Sequence, residues 1–287
     1  MEIRTAQRKR AKIRLGMQGP SGSGKTYSSL LMARGLVNDW SNIAVIDTEQ
    51  SADLYAHLGN YHVLNLGKPY SPESYIKAVS VCEKHPDIEV IIIDSISQEW
   101  TGEGGIIETH GNLTGNSFTN WNYLTRRHNN FVDKMLQSGC HIIATIRSKQ
   151  GYLLTDKNGK MVPVKVGLKG IQRDNLNYEL TVLLEIDQEH KATATKDRTG
   201  LFVDKPSFVI TESIGKQILE WCNSGTIEKE TSIESIKAEI KAAEDVETLH
   251  QIYNRYYQYQ NEIRPLCIAA RKALDLPEVI HNENNPK

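Results

Sequence analysis

Short, mostly apolar runs alternate with longer segments of helical period through most of this chain. Residues 13–17, 43–47, 90–94 and 140–146 are built mainly from Ile, Val, Leu, Met and Ala. They lack the strict apolar–polar alternation of a half-exposed strand, so they read as strands buried on both faces of a parallel sheet. A shorter run at 63–66 predicts one more strand, and 180–186 with 191–195 predict an antiparallel pair. Between them lie helical patterns: one from Lys25 to about Asn38, one over 72–84 capped by Ser71, one over 121–137 and a closing one over 213–223. The alternation predicts an α/β fold with a mostly parallel central sheet.

The pattern changes at Ser224-Gly225. Beyond it, 232–243, 246–260 and 262–274 carry only helical periods, and a polar tail follows Pro277. The organisation expected is a core over 1–225 and a small helical appendage over 226–287. Tyr253, Tyr256, Tyr257 and Tyr259 offer rings for base stacking, but their place along one helix favours packing.

Two segments of the core interrupt the regular pattern. Residues 101–122 are rich in Gly, Asn and Thr and are bordered by Trp100 and Trp121, which predicts a mobile loop or a loop with a helix. Residues 152–166 form two β-prone runs around Asn158-Gly159, the strongest short hairpin signal, and Pro163 restricts its strand to an edge. Lys149, Lys157, Lys160, Lys165 and Lys169 put positive charge on or beside that hairpin, with Tyr152 available to stack on a base.

Composition narrows the classes. The 287 residues carry a formal net charge of −1, so a nucleic-acid surface has to be local. The leader 1–14 holds six Lys or Arg side chains without an apolar stretch; it reads as a solvated start to the first strand, with a DNA-contacting arm as the alternative. No run approaches the length of a membrane span. Cys82, Cys140, Cys222 and Cys267 are far apart and form no metal-binding spacing, which fits a reducing cytosol.

Residues 19–26 read GPSGSGKT between a strand and a helix. Gly19, Pro20, Ser21, Gly22, Ser23 and Gly24 supply a loop whose N–H groups can cradle phosphates at a helix N-terminus. Lys25 reaches the β- and γ-phosphates, Thr26 can ligate Mg²⁺, and Tyr27 follows in the helix. The run 90–94 ends in Asp94 in the Walker B manner, and 43–47 delivers Asp47 and Glu49. These carboxylates are expected to gather beside the loop, with Thr26 and Asp94 as the Mg²⁺ ligands and ATP as the nucleotide.

Together these motifs resemble the RecA family, over about residues 12–223. The run VIDTEQSADLYA at 45–56 is similar to the RecA stretch bearing the catalytic glutamate, which implies that role for Glu49. Ile146-Arg147-Ser148-Lys149 resembles the way into the second DNA-binding loop, and 101–119 stands where the first would be. Thr195-Lys196-Asp197-Arg198 resembles the Lys-x-Lys segment that reaches a neighbour's nucleotide, so Lys196 and Arg198 would act in trans. Thr145 occupies the place of the γ-phosphate-sensing glutamine, and Arg198 that of the second lysine. Lacking the RecA N-terminal helix, the chain looks closest to phage core-only, Sak-type annealing proteins.

The resemblance implies a DNA-stimulated ATPase, assembled as a ring or filament on single-stranded DNA in a bacterial host cytosol, that promotes annealing or strand pairing. A recombination or single-strand-binding protein would be met through the C-terminal helices. It also implies that strand 142–146 lies between the P-loop strand and strand 90–94. A loader or adaptor ATPase acting through a protein partner is the alternative. A small-molecule kinase is disfavoured, since no acceptor pocket or lid motif is visible.

Overall fold

The computed structural model describes residues 5–157, 160–173, 175–225, 233–256 and 259–274, and within these not the side chains of 150–168, 235, 255, 260 and 261. The chain divides into two compact units, Met1–Thr226 and Ile227–Lys287.

The first unit is a twisted sheet with helices on both faces. Its strands are β1 (Arg14–Gly19), β2 (Ile43–Asp47), β3 (His62–Asn65), β4 (Val90–Asp94), β5 (His141–Lys157), β6 (Lys160–Gly170), β7 (Val182–Ile186), β8 (Lys191–Asp197) and β9 (Phe208–Val209). They run in the order β3-β2-β4-β5-β1-β7-β8-β9, with β6 paired to β5 beyond the sheet. From β3 to β7 the pairs are parallel; β7–β8, β8–β9 and β5–β6 are antiparallel. Strand β5 therefore separates β1 from β4, as the RecA resemblance implied.

Because successive side chains of a strand face opposite ways, each apolar run feeds two cores. Leu15, Met17, Val45, Ile92 and Ile143 pack on one face with α1 (Lys25–Leu36) and α7 (Glu212–Asn223). Ala44, Ile46, Ile91, Ile93, Ile142 and Ala144 pack on the other against α2 (Pro72–Glu83) and α5 (Ser117–Leu136), whose Tyr75 and Phe131 rings meet at 5.0 Å.

The basic leader is partly structural. Arg14 is buried, and its guanidinium donates to the carbonyls of Leu136, Ser138 and Cys140, closing the C-terminal end of α5. Arg8 donates to Trp221 O and lies 4.8 Å over the Trp221 ring. Arg14 is therefore not a solvated cation, while Arg8, Lys9, Arg10 and Lys12 are exposed.

Residues 101–122 are more ordered than their composition predicts. After the short α3 (Ser97–Thr101) come α4 (Ile106–Asn112) and then α5, which begins at Ser117 because the Asn116 side chain accepts from the N–H groups of Phe118 and Thr119. Ile106 is buried, and His110 stacks on Trp121 at 4.1 Å with Trp100 behind it at 6.1 Å. Of the two expectations for this segment the loop with a helix holds: short turns at 102–105 and 113–116 join α3, α4 and α5. A last short helix, α6 (Leu176–Glu179), joins the hairpin to β7.

In the second unit α8 (Ile233–Lys241), α9 (Val246–Arg255) and α10 (Gln260–Leu274) surround Ile236, Ile240, Leu249, Ile252 and Ile263. Tyr253, Tyr256 and Tyr259 pack against this core, while Tyr257 lies outside the described residues.

Candidate nucleotide site and basic cleft

The loop between β1 and α1 has the backbone its sequence calls for. Gly24 is the N-cap of α1 at φ 84°, a left-handed conformation that a side chain would strain. No side chain caps the helix and no acid lies in its first turn, so its N-terminal N–H groups stay available to an anion. Ser23 Oγ is buried without a hydrogen-bond partner. Lys25 Nζ folds back to donate to Pro20 O at 2.8 Å, and burial lowers its pKa against the pull of Asp94 and Glu49. Tyr27 is partly exposed and meets the Tyr55 ring at 5.8 Å.

Asp94 is nearly enclosed at the end of β4. Thr26 Oγ1 donates to its Oδ2 and Thr145 Oγ1 to its Oδ1, each at 2.5 Å. Burial raises the Asp94 pKa, and these two hydroxyls work in the opposite direction. Thr145 is fully buried with its hydroxyl on Asp94, so it holds a carboxylate where the sequence suggested contact with nucleotide. The residues fit a magnesium nucleotide: an uncapped helix end, an orphaned hydroxyl, a lysine, and a Thr–carboxylate pair. Bound there, Mg²⁺ would be held by Thr26 and Asp94 and would neutralise phosphate charge.

Asp47 is not a third free acid. Its carboxylate accepts from the backbone N–H groups of Glu49, Ser51 and Ala52, all at 2.8 Å, and so shapes the loop that presents Glu49. Glu49 in turn accepts from Arg147 Nε at 2.6 Å. Burial works against its charge, but the Arg147 bond, with Lys25 nearby, carries its pKa below the ordinary value. Arg147 sits beside Gly19 in the β1–β5 register, and its pairing with Glu49 is the main contact that sequence reasoning missed. The only signal was the basic residue just past the apolar run of β5.

The hairpin rises from the same strand. Lys149 and Lys169 face each other across its base, and both line a cleft of about 570 Å³ together with Trp100, Ile107 and Arg173. Behind the cleft, Gln172 donates to Ile96 O at 3.0 Å, and buried Glu99 pairs with His128 Nδ1 at 3.0 Å. The side chains of Tyr152, Lys157, Lys160 and Lys165 lie outside the described residues, as does the Asn158-Gly159 turn.

Lys196 and Arg198 converge elsewhere. Lys196 Nζ donates to the carbonyls of Asn177 and Tyr178 at 2.6 Å, and Arg198 Nη2 donates to Tyr178 O at 2.7 Å, so both cations cover the end of α6 within their own chain. Among the described residues no group of His, Cys, Asp and Glu forms a metal cluster, and no helix is long and apolar enough to cross a membrane.

Residues 11–210 match the model of a family described as an AAA domain. No curated protein matches the chain.

Proposed function

The chain belongs to the AAA domain family of P-loop ATPases, and on that premise we propose that it is a RecA-type, ATP-dependent single-stranded-DNA-binding protein that promotes annealing or strand pairing in phage-type recombination. The observation that carries this reading is the cleft at the foot of the β5–β6 hairpin. Trp100 of α3, Lys149 of β5 and Lys169 of β6 bring a ring and two cations together at this cleft, and β5 also carries Arg147 to Glu49 beside the phosphate loop. Cations that follow a phosphate backbone and rings that stack on bases are the general means of holding a single strand without reading its sequence.

In this reading Lys25 orients the terminal phosphates, Thr26 and Asp94 hold Mg²⁺, and Glu49 takes a proton from the attacking water. Subunits assemble as a ring or filament in a bacterial host cytosol. Lys196 and Arg198 leave the α6 carbonyls to meet a neighbour's γ-phosphate, and the C-terminal helices receive a recombination or single-strand-binding protein.

The test is the ATPase rate of the full chain with and without an unstructured oligonucleotide such as oligo-dT, together with binding at several salt concentrations. Stimulation and a steep salt dependence are expected. A rate indifferent to DNA, with no binding at low salt, would favour a loader or adaptor ATPase that works through a protein partner.

A further inference from the structure

We propose that Arg147 is a positioning residue that withholds Glu49 from the attacking water until an anion at the foot of the hairpin claims the guanidinium. The inference rests on the single-strand reading above for its trigger, and on the geometry of one ion pair for its mechanism.

Arg147 Nε donates to Glu49 Oε1 at 2.6 Å, a short charge-assisted bond to the carboxylate assigned to the water. In hydrolysis the water oxygen bonds to the γ-phosphorus, the bond to the β–γ bridging oxygen breaks, and Glu49 accepts the water's proton. A carboxylate held by a guanidinium is a weaker proton acceptor and is fixed in direction.

The arginine is built to let go. Its backbone is pinned: the N–H donates to Ser97 Oγ at 2.9 Å, and the carbonyl accepts from Ile171 N at 2.6 Å. Its side chain is 43% exposed, against 28% for Glu49, so an anion from solvent can reach it while the backbone stays in place. Arg147 and Lys149 are two residues apart on β5, which puts them on one face of the strand, and Lys149 lines the cleft with Lys169. A phosphate drawn to these lysines lies along the face of β5 that also carries Arg147. The Thr145–Asp94 contact is buried, whereas the Arg147 side chain can be reached from solvent.

A competing role makes the opposite prediction. Arg147 also lies close enough to Lys25 to oppose its charge, and a cation there could instead stabilise the transferred phosphate directly. Removing a withholding arginine raises turnover, whereas removing a stabilising one lowers it.

The experiment is steady-state ATPase of the full chain without DNA for wild type, Arg147→Ala, Arg147→Lys and the double variant Glu49→Gln/Arg147→Ala, with thermal melting and nucleotide binding on each. Arg147→Ala is expected to raise kcat about fivefold, the scale of a partly exposed ion pair, with an unchanged KM for ATP. Arg147→Lys should rise less, the double variant should lose the gain, and oligo-dT should stimulate Arg147→Ala less than wild type. A kcat at or below wild type in a folded, nucleotide-binding Arg147→Ala overturns the proposal. If that variant does not fold, Arg147→Lys carries the test, and a fall in its kcat overturns it equally. A wild-type rate indifferent to oligo-dT beside a raised Arg147→Ala rate would remove DNA as the trigger, and with it the single-strand reading. DNA stimulation in wild type beside an unraised Arg147→Ala would sink the withheld carboxylate alone.

Discussion

Gly35 of α1 and Gly215 of α7 meet backbone to backbone: a Cβ on Gly35 would lie 2.7 Å from Gly215 Cα and 2.1 Å from Glu212 O. This approach lets α7 close over the helix that starts at the phosphate loop. Gly35→Ala is expected to destabilise the core by about 1–3 kcal/mol, since neither backbone can yield without moving its helix. Urea unfolding would measure it, and a midpoint equal to wild type would show that the helices separate freely.

Glu49→Gln should bind ATP as wild type does while its turnover falls about 10²- to 10⁴-fold, the usual contribution of a positioned proton acceptor. Nucleotide titration beside steady-state ATPase separates the two effects. Unchanged turnover would remove Glu49 from the chemistry.

His141 opens β5 as a buried neutral ring whose Nδ1 accepts from Ile13 N at 3.1 Å. Burial, with Lys12 and Arg14 nearby, pushes its pKa down to about 3, from an ordinary value of 6.5. Between those values the unfolded chain binds the proton and the folded chain does not, so stability falls as pH drops below about 6.5. From pH 7 to pH 5 this one ring should cost about 2 kcal/mol. Chemical denaturation of wild type and His141→Asn over that range should show a shallower pH slope in the variant; equal slopes would clear His141 of the effect.

Lys149 and Lys169 flank the same cleft. Replacing both with Ala should weaken oligo-dT binding and reduce the log–log salt slope by about 0.7 for each phosphate no longer neutralised. If affinity and slope both hold, DNA is bound elsewhere, with the exposed Phe118 and Tyr123 of α5 the next place to look.

Lys25→Ala and Arg198→Ala should each be inactive alone. Mixed assemblies should regain part of the ATPase activity wherever an intact phosphate loop meets an intact Arg198 from a neighbour, because a cation of this kind contributes about 10³ to 10⁵ in rate. Absence of recovery in assemblies shown to contain both variants would place Arg198 outside a shared site.

The strands were legible because burial on both faces leaves an unmistakable run: 43–47 and 90–94 match β2 and β4 to the residue. The phosphate loop was legible because backbone chemistry restricts its residue types. Residues 101–122 were legible only in part, as a loop with a helix: the Asn116 cap is a local signal, but the placing of α4 against α5 rests on the Trp100–Trp121–His110 stack, which no local pattern contains. The Arg147–Glu49 bond joins residues 98 positions apart, and the Thr145 hydroxyl finds Asp94 across two strands. Sequence showed which groups were present, and only the strand order showed which of them touch.

Strand β5 changes partners partway along: through Ala144 it is clamped between β4 and β1, it stays paired with β1 as far as Arg147, and from Ser148 it is one arm of a hairpin with β6. The hairpin is therefore the handle of a beam whose other end is fixed in the middle of the sheet. Tension on anything gripped by that handle arrives as shear along the row where Arg147 lies beside Gly19, at the mouth of the phosphate loop.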